Sequence, residues 1–346
     1  PSQRQQIIKK FFGSFCSQKR TPTLEILLSK RPKMFTLAIH GGAGTINRDT
    51  MTEVREAAYR AGLATALRAG HAVLADGGSA LDAVTASVMA LEDDPLFNAG
   101  RGAVYTSAGK QEMDAAVMRG QDRGAGAVAG IFGPRNPVLA ARAVMERSES
   151  VLLMGQGALD FLADKGLVWD GPDYFYTEAR WQNLQTELAR RTQSGLDNRD
   201  DAARHGTVGA VARDRAGNIA AATSTGGMTG KPPGRVGDSP LIGAGTWADN
   251  ATCAVSATGA GEYFIRWAAA HEIASRMRYL GLPLDVAADQ VVTELGIVGG
   301  SGGLIAIDAA GNVALPFNCS GMYRGVAGPD GIMRTGIYRE PLAATP

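Results

Sequence analysis

Residues 205–225 read HGTVGAVARDRAGNIAAATST. Two runs rich in small and β-branched residues, Thr207–Arg213 and Ile219–Ser224, flank the turn DRAGN. A strand, an Asp-x-x-Gly-Asn turn and a second strand predict an antiparallel hairpin. The arrangement recurs downstream, where GGLIAID leads through DAAGN (Asp308–Asn312) into Val313–Leu315. Two such hairpins exclude a purely parallel sheet. Upstream lies QSGLDNRDDAARHG, residues 193–206, polar and without periodicity, which reads as an exposed linker.

Working outward, Phe35–Ile39 is an apolar strand ending in the loop HGGAG (His40–Gly44). Helices are expected over Thr50–Leu74, stopped by Asp76-Gly77-Gly78, and from the Ser79–Asp82 capping box to about Leu91. A hairpin is expected across Ala103–Met118, turning near Ser107–Gly109, then a strand at Ala125–Phe132, a helix at Pro137–Glu146 and a strand at Val151–Met154. Leu167–Gly206 is polar, with one helix expected at Glu178–Arg191. Gly261–Leu280 and Leu284–Leu295 carry amphipathic helical spacing. Sheet-forming hairpins with helices between them fit a layered sandwich of sheets better than a doubly wound fold.

The chain has 346 residues, 45% of them hydrophobic, which is ample for a large core. Gly is unusually frequent at 45 positions, so tight turns and close backbone approaches are expected. Net charge is +1, which excludes the strongly basic footprint of a general nucleic-acid binder. The balance conceals an asymmetry: residues 1–33 hold eight Lys or Arg against the single acid Glu25. That basic head is acid-poor like a transit peptide but has no apolar core for secretion, and it is expected to lie outside the fold. Cys16, Cys253 and Cys319 are far apart, with no CxxC, so neither a disulfide framework nor a zinc site is expected. No apolar run reaches the ~18 residues of a membrane span. A cytoplasmic protein with neither nucleic-acid nor membrane partners is expected.

The glycine-rich strings fail the nucleotide-binding templates. HGGAG is not GxGxxG, and in GGMTGK Thr225 takes the first Gly position of a P-loop while Pro232 takes the place of its Ser or Thr. HGGAG could still cradle an anion through backbone N–H groups, or be a close-packed turn. No HExxH occurs among His40, His71, His205 and His271, and GGSGG (Gly299–Gly303) leads into a strand and reads as a turn where backbones crowd, not as a nucleophile elbow. A hydrolase lacking these devices can use a Thr whose own α-amine, with a pKa of about 7.7–8.0, is the base. Such a residue must be the first of its chain. Thr207 suits the role: it opens a strand directly after the linker, and Gly206 before it presents no side chain to an attacking hydroxyl. A Thr at a strand start also needs no catalytic explanation, since β-branched residues favour strands.

A series of strings in fixed order decides between these readings. HGGAG, PLFNAGRGAVYT, HGTVGAVA, TSTGGMTGKPPGRVGDSPLIGAG, ATGAGEYFIR and GGSGGLIAID together resemble the plant-type L-asparaginases, or isoaspartyl peptidases, of the N-terminal nucleophile hydrolases. The resemblance covers about Phe35–Glu340 and weakens through Leu167–Arg204. It implies an α+β fold, the four-layer αββα sandwich, formed jointly by residues 34–206 and 207–346 after self-cleavage at Gly206–Thr207. It implies hydrolysis of β-aspartyl dipeptides and L-asparagine to L-aspartate through a Thr207 acyl-enzyme, with Thr225 orienting the nucleophile. Arg235 and Asp238 match the pair that holds the substrate's α-carboxylate and α-amino group, and Thr258 and Gly259 match the oxyanion-stabilising positions. Asn98 matches a supporting residue from the first portion. No catalytic cofactor is implied, only a structural sodium ion held by backbone carbonyls of Leu91, Glu92, Asp94, Phe97, Ala99 and Arg101, and a dimer of αβ units. Gly230 and Pro232 depart from the bulkier residues usual in the family. Glycosylasparaginases and threonine-type aspartic endopeptidases share the constellation but tend to carry Asp where Gly206 stands; a non-processing Gly-rich binding homologue is the remaining alternative.

Overall fold

The computed structural model describes residues 35–194 and 206–345. The basic head and most of the linker before Gly206 lie outside the described residues. Phe35 onward packs as one unit.

Thirteen strands form two sheets among the described residues. The larger is built from β1 (Thr36–Gly44), β2 (Met113–Arg119), β3 (Ala125–Ile131), β4 (Leu152–Met154), β5 (Val208–Arg213), β6 (Ile219–Thr225), β11 (Gly321–Ala327), β12 (Arg334–Gly336) and β13 (Ala343–Ala344). Its order is β13-β12-β11-β1-β5-β6-β2-β3-β4, antiparallel throughout except for the β3–β4 pair. The smaller joins β7 (Thr246–Ala248), β8 (Cys253–Gly259), β9 (Gly302–Asp308) and β10 (Val313–Ala314) in the order β10-β9-β8-β7. Both Asp-x-x-Gly-Asn turns make the expected hairpins, β5–β6 and β9–β10.

Side-chain alternation places the layers. Leu37, Ile39, Val208, Ala210, Ala212, Ala220 and Ala222 point from one face of the large sheet onto α1 (Glu53–Ala75), α2 (Ala80–Asp93) and α3 (Pro137–Arg147). The intervening Ala38, Val211, Ile219 and Ala221 point the other way and meet Ala254, Ile305 and Ile307 of the small sheet. The far face of the small sheet, with Cys253, Val255, Leu304 and Ala306, is covered by α8 (Ala269–Leu280) and α9 (Leu284–Ile297). Both faces of each sheet are therefore buried, which is why these strands read as nearly continuous runs of Ala, Val and Ile. Cys253 and Cys319 are buried free thiols. No helix among the described residues is long and apolar enough to cross a membrane.

Three expectations are corrected. HGGAG is not a loop: β1 continues through it, paired to β11 as far as Gly44↔Gly321, while its pairing to β5 stops at His40↔Gly209. The bulge between His40 and Gly42 makes the parting possible, and Gly42 sits at φ +113°, where only glycine is unstrained. The hairpin expected across Ala103–Met118 is reduced to one antiparallel bridge, Tyr105↔Gln111, about the expected turn at Ser107–Gly109. Both edges of β2 are taken, by β3 and β6, so residues 103–111 make a separate turn. Gly261–Leu280 is two helices, α7 (Gly261–Trp267) and α8, broken at Ala268 in the left-handed region. The break aims the first N–H groups of α8 at the main chain, with Ala270 N donating to Ala244 O and His271 N to Gly243 O.

Candidate active site

Thr207 immediately precedes β5, and Thr225 ends β6, so the β5–β6 pairing brings both to the same end of the large sheet. Thr207 Oγ1 donates to Thr225 Oγ1 at 3.3 Å. Thr225 Oγ1 donates in turn to the carbonyl oxygen of Gly206 at 2.9 Å and accepts from Gly227 N at 2.9 Å. The single hydroxyl hydrogen of Thr225 is thus committed to Gly206 O, which leaves the Thr207 hydroxyl as the donor between the two. A second donor reaches the same carbonyl. Asn98 Nδ2 lies 2.7 Å from Gly206 O and 2.7 Å from Gly227 O, and its Oδ1 accepts from Val104 N at 3.0 Å. The Gly206 carbonyl is thus polarised from two sides.

The bulged β1 closes the opposite wall. A Cβ on Gly42 would stand 3.3 Å from Gly206 Cα and 3.5 Å from Thr207 N, so this backbone approaches the Gly206–Thr207 bond as only glycine allows. Beneath Thr207 runs a buried polar chain that the sequence did not reveal: His40 Nε2 to Ser256 Oγ at 2.9 Å, Ser256 to Thr223 at 2.7 Å, and Thr246 to Thr223 at 2.7 Å. Gly209 makes room for it, because a Cβ there would collide with Ser256 Oγ and His40 Nε2. Burial lowers the His40 pKa to about 3, against the opposing pull of the Thr207 backbone, so this imidazole is neutral at any working pH. Its Nδ1 has no hydrogen-bond partner among the described residues, and the ring carries no charge.

Arg235 and Asp238 converge on Gly261 at the start of α7; a Cβ there would stand 2.8 Å from Asp238 Oδ1 and 3.2 Å from Arg235 Nη2. Asp238 is buried, and its Oδ2 has no hydrogen-bond partner. Burial raises its pKa to about 7, Arg235 opposing and Glu262 and Asp114 reinforcing. Arg235 forks onto Glu262, with Nε–Oε1 at 3.0 Å and Nη2–Oε2 at 2.9 Å. Its guanidinium therefore already sits in the bidentate geometry with which Arg recognises a carboxylate. Thr258 Oγ1 accepts from Ala43 N at 3.2 Å, which ties the end of β8 to the glycine strand beside Thr207. Gly259, at φ +147°, lies against Ser301 and Gly302, where a side chain would clash.

A buried pair also escaped the sequence reading. Lys231, the residue that made GGMTGK look like a failed P-loop, is fully buried and donates from Nζ to Glu112 O at 2.8 Å. Its charge opposes the upward shift that burial gives the Asp114 carboxyl, and Asp114 pairs in register with Thr225. A Lys after a glycine run was the available signal; its burial was not legible.

Among the described residues no cluster of three His, Cys, Asp or Glu side chains could hold a metal. The turn after α2 offers carbonyls instead. A Cβ on Gly100 would stand within contact of Glu92 O, and one on Gly102 would collide with Phe97 O and lie 2.8 Å from Pro95 O. A cavity of about 560 Å³, lined by Tyr105, Phe132, Tyr176 and Trp181, includes none of Asn98, Gly206, Thr207, Thr225, Arg235, Asp238, Thr258 and Gly259.

The chain is similar to known proteins along most of its length. A family model described as asparaginase matches residues 33–337. An isoaspartyl peptidase of Salmonella typhimurium is 54% identical over 311 residues, covering 88% of this chain and 98% of that protein. An isoaspartyl peptidase/L-asparaginase of Homo sapiens is 40% identical over 311 residues, covering 89% and 98%. A plant-type L-asparaginase of Pyrobaculum calidifontis is 41% identical over 306 residues, covering 86% and 98%.

Proposed function

The chain belongs to the asparaginase family, and from that premise we propose that it cleaves itself at Gly206–Thr207 and then hydrolyses β-aspartyl dipeptides and L-asparagine with Thr207 as nucleophile. The observation that carries the reading is the Gly206 carbonyl, held by Asn98 and Thr225 while the Thr207 hydroxyl bonds to Thr225. In self-cleavage the Thr207 oxygen attacks the Gly206 carbonyl carbon, and the oxyanion forms where two donors already point. The C–N bond then breaks to leave an ester, which water hydrolyses to a Gly206 carboxylate and a free Thr207 amine. The sheet-helix packing, with the nucleophile at the mouth of a strand pair, is what the four-layer αββα sandwich of N-terminal nucleophile hydrolases requires.

The freed amine is the base. It takes the Thr207 hydroxyl proton as that oxygen attacks the substrate's side-chain carbonyl, then returns it to the leaving amine. Thr258 and the Gly259 N–H stabilise the oxyanion in this reading, and water releases L-aspartate. Arg235 binds the α-carboxylate in the fork that Glu262 occupies, and the orphaned Asp238 oxygen binds the α-ammonium. The carbonyls gathered near Gly100 and Gly102 suit a structural sodium ion held by Leu91, Glu92, Asp94, Phe97, Ala99 and Arg101, which stiffens the turn that presents Asn98. A dimer of αβ units in the cytoplasm completes the proposal.

The test joins two measurements on purified protein. Denaturing electrophoresis over several days should resolve bands of about 21 and 15 kDa from the 36.1 kDa chain, the smaller beginning Thr-Val-Gly-Ala-Val. Aspartate should then be released from L-asparagine and from β-Asp-Leu. A chain that stays whole, or fragments that release no aspartate, would end this reading.

Asp238 gives the pH dependence its sign. Its carboxyl, raised to about 7, is neutral below that pH and attracts an ammonium only above it. kcat/KM for L-asparagine should therefore rise up to a hundredfold per unit below about pH 7, where Asp238 and the Thr207 amine both titrate, then up to tenfold per unit until the amine, with an ordinary pKa of about 7.7–8.0, is neutral. In Asp238→Asn this limb should flatten, leaving the titration of the Thr207 amine alone.

A further inference from the structure

Beside Gly206 lies a polar cavity of about 190 Å³, lined by the glycine run of β1, Asn98, Tyr59, Tyr323, Arg55 and Arg180. Arg180 comes from α6 (Glu178–Ser194), in the polar stretch where the family resemblance fades. Its Nη2 donates to Leu96 O at 3.1 Å, and Arg55 Nη2 reaches Tyr59 Oη at 3.5 Å. Neither guanidinium pairs with a carboxylate among the described residues, although fifteen other salt bridges form there. Burial depresses the pKa of the half-buried Arg180, and the like charge of Arg55 adds to this while Tyr59 and Tyr323 oppose it. No carboxylate is in the cavity lining to neutralise either charge. A built cavity with an excess of positive charge has the chemistry of an anion receptor.

The position identifies the anion. Gly206 forms one wall, and Gly42, in the same lining, abuts Thr207 N. Once Gly206 leaves, the cavity opens directly onto the nucleophile. Arg235 and Asp238 are absent from its lining, so it does not belong to the wall assigned to the aspartyl moiety. We propose that Arg180, with Arg55 at the rim, forms a carboxylate subsite next to Thr207. It receives the free α-carboxylate of the amino acid leaving from a β-aspartyl dipeptide, or the carboxylate that cleavage creates on Gly206. This inference rests on the reaction proposed above. L-Asparagine, whose leaving group is ammonia, has nothing to place there.

The test compares β-Asp-Leu, its C-terminal amide β-Asp-leucinamide, and L-asparagine on the processed protein. A charge-assisted contact to a carboxylate corresponds to about a 10- to 100-fold preference in kcat/KM for the acid over the amide. That preference should collapse toward one in Arg180→Gln and fall in Arg55→Gln. The wild-type comparison needs no variant, so a misfolded Arg180→Gln leaves the idea testable. If the Gly206 carboxylate is the occupant, acid and amide react alike, but carboxypeptidase digests the large fragment of native Arg180→Gln several-fold faster than that of wild type. Equal rates on acid and amide together with unchanged digestion overturn the subsite while leaving the reaction standing. Failure of the wild type to act on either dipeptide or on L-asparagine overturns the reaction, and the subsite's substrate role falls with it.

Discussion

Thr207→Ala should remain a single 36.1 kDa chain indefinitely and release no aspartate from L-asparagine or β-Asp-Leu. Removing a covalent nucleophile costs at least about 10⁴-fold in turnover, and here one atom serves two reactions. The Thr207 oxygen both opens the Gly206 carbonyl and forms the acyl-enzyme, so both readouts should vanish together. Thr207→Ser keeps the oxygen and loses only the γ-methyl, which helps fix the rotamer of a β-branched side chain. It should process and turn over, more slowly than wild type in both. Cleavage of Thr207→Ala at the same bond would show that another group attacks Gly206. The folded state should tolerate both changes, because among the described residues the Thr207 hydroxyl has one partner, Thr225, and truncation opens a space of only a few atoms.

The parts of this fold that depend on local chemistry were legible in the sequence. DRAGN and DAAGN set two hairpins because Gly and Asn accept the turn backbone, and Ser79 opens α2 as its side-chain cap, whereas α1 starts behind a Thr52 cap and not at Thr50 as expected. What escaped depends on tertiary partners. HGGAG reads as a loop because four weak strand formers carry no pattern; it is strand because β11 offers it a continuous ladder. Ala268 carries no breaker signal, yet the loop carbonyls of Gly243 and Ala244 end one helix there and start another.

The site divides the same way. Thr207, Thr225, Arg235, Asp238, Thr258 and Gly259 lie in strings specific enough to recognise, and the pairing of β5 with β6 brings the first two within hydrogen-bond reach. The residues that tune them are single letters scattered over the chain. His40, Thr223, Thr246 and Ser256 form a chain only because the large and small sheets face each other. Lys231, the one residue by which GGMTGK matches a phosphate-loop lysine, is buried charge near the strand that ends in Thr225. Arg180 sits in a polar helix with little periodicity, and only the absence of an acid beside it among the described residues distinguishes it from a solvated arginine.

The second large effect concerns the two donors on the Gly206 carbonyl. Thr225→Val removes the hydroxyl that bonds Gly206 O and also accepts from Thr207, whereas Asn98→Leu removes only the amide donor from that carbonyl. Loss of one oxyanion donor typically costs about 10²–10³-fold. Conversion of the 36.1 kDa band should slow by that order in each variant. The double variant should be slower than either, but by less than the product of the two, since both donors serve one oxygen. The variants part company after maturation. The contact of Asn98 with Gly206 ends when Gly206 departs, while Thr225 stays beside the nucleophile, so matured Asn98→Leu should hydrolyse β-Asp-Leu far better than matured Thr225→Val. Asn98→Leu also strands Gly227 O and Val104 N, so its thermal midpoint must be compared with that of Thr207→Ala, the unprocessed reference. Equal midpoints with slow conversion locate the defect at the bond itself. Wild-type conversion in both single variants would mean that the Gly206 carbonyl is activated by something other than the two groups now touching it.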